Sequence, residues 1–305
     1  MNFYPSKCKS QIIDLAHSAG FYAIGMAKAE PVDETVFQRF QQWLADGRNA
    51  GMAYLENYPD TRRDPRLLLD GAKTVISLAM SYYHTVEDGE NPSNFALYAH
   101  GDDYHEVLRE QVKPIIEYIE TIGGKTRFCV DTAPILERYW AVKSGIGFIG
   151  RNSMLIIPNA GSYFFLCEIV TTLELTADSP CSLTCGDCMA CEKHCPGNAL
   201  ADRQIDARQC HSYLTIEHRG DLPQDAELSG IYGCDTCQKC CPHNSAPPLS
   251  PLQQFNLRPT IASLTPTDIL SFTQPQFSTI FSHSAIKRTK LAGLRRNAEH
   301  IVKGL

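Results

Sequence analysis

Apolar positions along the first 175 residues change period repeatedly, and the changes predict an alternation of helices and strands. Over Glu34 to Asp46, Val36, Phe37, Phe40, Trp43 and Leu44 fall on one face at helical spacing, with Asp33 placed to cap the helix and Gly47 to stop it. Lys73 to Tyr83 is an almost unbroken apolar run of strand length, as a buried strand requires. Helical spacing returns over Tyr104 to Ile122, where Pro114 is expected to kink or split the helix because it lacks a backbone donor. A strand over Lys125 to Val130 ends at Asp131, and a helix follows from Pro134 to Lys143. The glycine-rich GIGFIG at 145–150 turns the chain, and Met154 to Ile157 and Tyr163 to Leu173 read as paired strands around Asn159–Gly161.

This alternation predicts an α/β or α+β domain over residues 1–175. It places Asp131 at the carboxyl end of a strand, where α/β sheets bind ligands. From residue 176 to 245 the periodicity gives way to short, turn-rich, cysteine-dense sequence, which metal is expected to organise in place of a large apolar core. Residues 246–305 form the rest of a Pro-rich connector, Pro242 to Pro251, and a tail of weak helical periodicity.

At 43% hydrophobic and 20% charged residues over 305 positions, the composition is that of an ordinary globular protein. No run of eighteen apolar residues occurs, and the first residues carry no basic-then-apolar leader, so a cytoplasmic protein without a membrane segment is expected. In that reducing setting thirteen cysteines point to metal ligation and not to disulfides. A net charge of −6 excludes a protein that coats nucleic acid non-specifically, while leaving room for a local basic patch.

The segment Cys185-Gly-Asp-Cys188-Met-Ala-Cys191-Glu-Lys-His-Cys195-Pro196 fits the bacterial ferredoxin run C-x2-C-x2-C-x3-C-P at every position. Three thiolates on one tight loop clamp three corners of a cubane, and the fourth serves a neighbouring cluster, so one such run predicts a second site. Cys234-Asp-Thr-Cys237-Gln-Lys-Cys240-Cys241-Pro242 supplies it, with Cys210 between the two runs. The assignment gives Cys185, Cys188, Cys191 and Cys241 to one [4Fe–4S] cluster and Cys195, Cys210, Cys234 and Cys237 to the other. Cys240 competes for the place given to Cys241, which its Cys-Pro pairing favours. Zinc is the competing ligand for C-x2-C pairs, but the full run holds more thiolates than a tetrahedral ion needs. This second unit is therefore read as a ferredoxin-like domain with two clusters.

Asp131 has two readings: it caps the following helix, or it acts as a general acid with desolvation raising its pKa toward the working pH. GIGFIG lacks the surroundings of a dinucleotide fingerprint or a Walker loop. Asp103-Tyr104-His105 begins like the corrin-binding pattern D-x-H-x-x-G but ends in Leu108, so that histidine is not expected to hold a corrin.

Several dispersed segments resemble the epoxyqueuosine reductase family, whose members use cobalamin and iron–sulfur clusters in the last step of making the tRNA base queuosine. They are Arg62-Arg63-Asp64-Pro65-Arg66-Leu67-Leu68-Leu69, Gly101-Asp102-Asp103-Tyr104-His105, Asp131-Thr132-Ala133-Pro134, GIGFIG, Gly161-Ser162-Tyr163-Phe164, Cys210-His211-Ser212-Tyr213-Leu214-Thr215-Ile216-Glu217 and Ile231-Tyr232-Gly233-Cys234-Asp235. The resemblance implies a cobalamin-binding first domain, reduction of that cofactor through the two clusters, and attack on an epoxide with Asp131 as proton donor. By the same resemblance Arg62 meets the corrin, and Leu155 and Ser212 line it, partly through backbone groups. The implied partners are a tRNA carrying epoxyqueuosine in its anticodon loop and an external low-potential electron donor, and a monomer is expected.

The turn Gly150-Arg151-Asn152-Ser153-Met154 departs from the family pattern, and the chain ends soon after Asn297 without the helical-repeat extension of longer members. RNA contacts are then expected from His211, His218 and Arg219, and from Lys287, Arg288, Lys290, Arg295, Arg296 and Lys303 in the tail. Two rivals remain at this stage: a corrinoid reductive dehalogenase-like enzyme with the same cofactors, and an electron-transfer module without a corrin.

Overall fold

Four antiparallel strands frame the first unit. The computed structural model describes residues 5–223 and 226–304. In chain order come α1 (Pro5–Ser18), β1 (Ala23–Lys28), α2 (Glu34–Ala45), α3 (Pro59–Arg63), β2 (Thr74–Ser81), α4 (Tyr104–Gln111), α5 (Lys113–Thr121), β3 (Thr126–Cys129), α6 (Glu137–Lys143), β4 (Phe148–Ile149), β5 (Leu155–Ile156) and β6 (Phe164–Thr171). The sheet order is β1-β2-β6-β3, and each neighbouring pair is antiparallel.

All eight residues of β2 are buried, because both sheet faces are covered. Ile76, Leu78 and Met80 meet Ile12 of α1, Leu108 of α4 and Ile115 and Ile119 of α5 on one face. Val75 packs with Phe37 and Trp140 on the other. Two-sided cover is why the strand reads as a continuous apolar run and not as an alternation.

Pro114 splits the expected helix into α4 and α5, at the second position of α5 where no intrahelical donor is needed. Three local expectations are corrected. Asp33 precedes α2 but makes no side-chain cap bond; its carboxylate lies 3.5 Å from Lys143 Nζ instead. The strand at 155–156 pairs with 148–149, inside GIGFIG, and not with β6, which is taken up by β2 and β3; between the expected partners only an isolated Ile157–Gly161 bridge forms. The antiparallel sheet also removes the parallel-sheet argument for Asp131: the residue does follow β3, but its position as a ligand site must come from its own contacts.

Among its described residues the cysteine-dense segment carries α7 (Ala190–His194), β7 (Leu200–Ala201), β8 (Gln204–Ile205), α8 (His211–Ile216) and α9 (Thr236–Lys239), with short 3-10 turns at Ala207–Gln209 and Pro242–Asn244. Asn244 ties it to the sheet: its Oδ1 accepts from Ser162 N–H at 2.7 Å, and its Nδ2 donates to Gln238 O at 2.8 Å. Gln238 Nε2 donates in turn to Ser162 O at 3.0 Å.

The C-terminal part forms α10 (Pro259–Ala262), α11 (Pro266–Ser271), α12 (Gln274–Ile280) and α13 (Lys290–Gly304). Its apolar side chains, among them Ile269, Phe277, Phe281, Ile286 and Leu294, share one core with Phe95, Ile231 and Tyr232. Two of its arginines are internal fasteners: Arg296 donates to the carbonyls of Leu214, His218 and Gly220, and Arg295 to that of Phe272. The basic stripe read from sequence is thus partly structural.

Candidate functional site

The first turn of α4 meets the loop after β3. Asp103 begins α4, its Oδ1 accepting from His105 N–H at 3.0 Å. The His105 ring is then fixed on three sides: Nδ1 lies 2.7 Å from Asp103 Oδ1, Nε2 lies 3.2 Å from Asp131 Oδ2, and Tyr104 stacks on it at 4.1 Å. Tyr104 also stacks nearly parallel on Phe165 of β6, at 4.5 Å and 7°, which anchors the turn to the sheet.

Asp131 adopts φ 46°, a left-handed conformation that aspartate tolerates better than most residues. Its N–H donates to Glu137 Oε1 at 2.6 Å, and its side chain is 48% exposed. Asp131 does not cap α6; Glu137, the first residue of that helix, reaches back to hold Asp131.

Around this pair lies a cleft of about 500 Å³. Tyr98, Tyr104 and Tyr232 give it an aromatic wall, Asp103, His105, Glu106 and Asp131 a charged end, and residues 282–288, including His283, Lys287 and Arg288, a basic rim. Tyr232 O–H donates to Ala285 O at 2.7 Å, joining wall to rim. Arg288 pairs with Glu217 and lies 5.5 Å from the centroid of Tyr54. The volume suits a nucleoside-sized ligand.

Burial in the cleft pulls the His105 imidazole down, but its bonds to Asp103 and Asp131 outweigh this and raise it to about 9. Burial would raise Asp131, yet the bond and charge of His105, with Arg288, hold it below its ordinary value. Glu137, raised first by burial and then by the Asp131 charge, moves up to about 7. At neutral pH the site therefore carries its proton on the imidazole, not on Asp131.

The thiols stand in two groups. Cys210 has Cys234 and Cys195 as neighbours, and Cys237 has Cys234, Cys210, Cys195 and, from the other group, Cys191. Cys241 faces Cys185 and Cys188, while Cys240 faces Cys188 and Cys195 and lies beside Cys191. Among the described residues no three or more His, Cys, Asp or Glu side chains converge tightly enough to hold a single metal ion.

The donor set fits iron–sulfur clusters. Ala199 N–H donates to Cys195 Sγ at 3.3 Å; burial pushes the Cys210 thiol up, and the amides of Tyr213 and Ser212 offset part of that. The turn that departs from the family pattern is tied to this unit, with Arg151 3.1 Å from Glu192 and Asn152 donating to Cys237 O at 3.4 Å.

The other expected cofactor residues are placed differently. Arg62 is buried and donates to the main-chain oxygens of Asn57 and Tyr54. Leu155 is buried with Ala141, Ile146 and Phe164, and Ser212 is half-buried on the first turn of α8. None of the three lines the Asp131 cleft. Sequence reasoning missed His105, Glu137 and Tyr232 as site residues; the only signal for His105 and Tyr232 was their presence in the motif segments.

Two family descriptions match the chain: epoxyqueuosine reductase QueG, DUF1730, over residues 62–132, and a 4Fe-4S double cluster binding domain over residues 184–244. The chain is 40% identical to an epoxyqueuosine reductase of Cellulophaga algicola, over 92% of this chain and 94% of that protein. It is 36% identical to one of Gloeobacter violaceus, over 95% and 94%. Among solved structures, an epoxyqueuosine reductase with a tRNA-Tyr epoxyqueuosine-modified stem loop superposes with TM-score 0.90 at 29% identity, over 98% of this chain and 82% of that one. A Bacillus subtilis epoxyqueuosine reductase whose aspartate catalytic loop is swung out of the active site superposes with TM-score 0.89 at 28% identity, with the same coverages.

Proposed function

Because the chain belongs to the epoxyqueuosine reductase family, we propose that it reduces epoxyqueuosine to queuosine within tRNA, with Asp131 delivering protons to the departing oxygen. The observation that carries this reading is the Asp131–His105 pair at the charged end of a nucleoside-sized cleft, whose wall residue Tyr232 stands two positions before Cys234. An acid group and a base-sized cleft meet there.

Opening an epoxide and expelling its oxygen to leave an alkene consumes two electrons and two protons and releases water. The two clusters, bound by Cys185, Cys188, Cys191 and Cys241 and by Cys195, Cys210, Cys234 and Cys237, pass electrons singly from an external low-potential donor. Asp131 would protonate the departing oxygen, since an alkoxide leaves poorly. The tyrosine wall offers stacking faces to a base turned out of its loop, and Lys287, Arg288 and His283 offer phosphate contacts at the rim.

The family likeness brings cobalamin, and the exposed Tyr54 ring next to Arg288 of the basic rim offers such a group a face. Tyr54 exposes 44% of its surface beside Arg288, and Ser212 shares α8 with the segment leading to Glu217. Tyr54 and Ser212 would hold the corrin, Arg62 acting through the Tyr54 turn and Leu155 through the strand it packs. When bound, the reduced cobalt supplies the nucleophile that no side chain here provides.

The test is anaerobic assembly with iron, sulfide and cobalamin, reduction, and nucleoside analysis of epoxyqueuosine tRNA. Queuosine formation is expected. Retention of both clusters and the corrin without any queuosine would overturn the assignment.

A further inference from the structure

Resting on the reductase reading, we propose that His105 holds the proton Asp131 delivers, so that the acid of this site is a relay of Asp103, His105 and Asp131. Both ring nitrogens face carboxylate oxygens, at 2.7 and 3.2 Å. Both can donate only in the doubly protonated ring; a neutral ring would turn one lone pair toward a carboxylate. The ring cannot turn away, because Tyr104 covers its face and Asp103 is fixed as the cap of α4.

The titratable and charged groups facing the pair are accounted for on each side. From α4 they are Asp103, Tyr104 and Glu106, from the β3–α6 segment Asp131, Glu137 and Arg138, from the aromatic wall Tyr98 and Tyr232, and from the C-terminal part Arg258, His283, Lys287 and Arg288. His283 is itself occupied, its Nδ1 2.8 Å from Glu106 Oε2. The carboxylates nearest the ring raise its affinity for a proton, in agreement with its shift to about 9.

The chemistry needs such a store. Asp131 gives up at most one proton, whereas each turnover consumes two. In the relay the Nε2–H bond of His105 breaks as an O–H bond forms on Asp131 Oδ2, leaving a neutral ring whose Nδ1–H still donates to Asp103. The Asp131 O–H bond then breaks as the substrate oxygen takes the proton. The ring is recharged from water entering the cleft, and the relay itself moves no electrons. His105 is thus a positioning and proton-holding residue, and Asp131 the one that meets substrate.

The test compares His105→Gln and Asp103→Asn with the parent chain, loaded with clusters and cobalamin, in single turnover across pH. The parent is expected to keep its rate until the pH nears 9 and to lose it above. His105→Gln should lower the neutral rate about 100-fold and move the falling limb about two pH units or more toward acid, with tRNA affinity and iron content unchanged. Asp103→Asn should move the limb part of the way. An unshifted limb and unchanged rate in His105→Gln would overturn the relay. If the parent itself makes no queuosine, the reductase reading fails, and ring-nitrogen NMR of the unloaded protein decides the relay alone. A His105 ring still doubly protonated at pH 8 supports it, and one titrating near 6.5 rejects it.

Discussion

The guanidinium of Arg62 donates to the main-chain oxygen of Tyr54 at 3.0 Å, and by its Nε to that of Asn57 at the same distance. It is 7% exposed and holds the turn that presents the Tyr54 ring. Arg62→Ala leaves two carbonyls without these donors and should cost about 1–3 kcal/mol; Arg62→Lys should recover part of it, lacking the planar fork. Denaturant unfolding and hydrogen exchange across residues 53–57 check this. Unchanged stability and protection in Arg62→Ala would show that Tyr54 is held by other means.

Asp131→Asn keeps an acceptor for His105 but removes the transferable proton and the charge. Turnover should fall about 100- to 10,000-fold, and the His105 ring should titrate lower for want of its anionic partner. Nucleoside analysis and ring-nitrogen NMR read the two effects separately. A variant with full activity would move the acid elsewhere.

Cys241 faces Cys185 and Cys188, while Cys240 stands between the two thiol groups and donates weakly to Cys237 O at 3.8 Å. Cys241→Ala should therefore lose one cluster, halving bound iron, and Cys240→Ala should keep both. Iron and sulfide analysis after anaerobic assembly decides the matter, and the opposite pattern would exchange the two assignments.

Stability should decline as pH rises across two windows. Glu137, raised to about 7, binds its proton more tightly folded than unfolded, so its contribution is lost between its ordinary value of 4.5 and about 7. His105 contributes stability fully present below 6.5 and lost as pH passes through about 9. Asp131, held low, acts oppositely, its contribution being lost as pH falls below 3.8. Urea midpoints against pH should lose the first slope in Glu137→Gln and the second in His105→Gln; slopes that survive both changes would assign them to other groups.

What the sequence made legible was local. The ferredoxin run, the buried strand over 74–81 and the break at Pro114 each rest on a few neighbouring residues, and each is seen in the fold. Strand order was not legible, because Met154–Ile157 carries no sign that it prefers 148–149 to β6. Nor was the return of Glu137 to Asp131, six positions back, which turns an apparent capping residue into one that is itself held. Asp33 looked like a cap for the same reason: Lys143 is distant in sequence and near in space. His105 stood in a recognised motif segment, but its two carboxylates are joined only when α4 meets the loop after β3.

The rim of the cleft, residues 282–288, follows both the Asp131 loop and the cluster cysteines along the chain, and it packs on Tyr232. During synthesis, therefore, the thiols and the Asp131 loop leave the ribosome before the cleft that joins them exists. Leu291 and Leu294 of α13 enter the same core as Tyr232, so the wall of the cleft is fully seated only once that helix has packed.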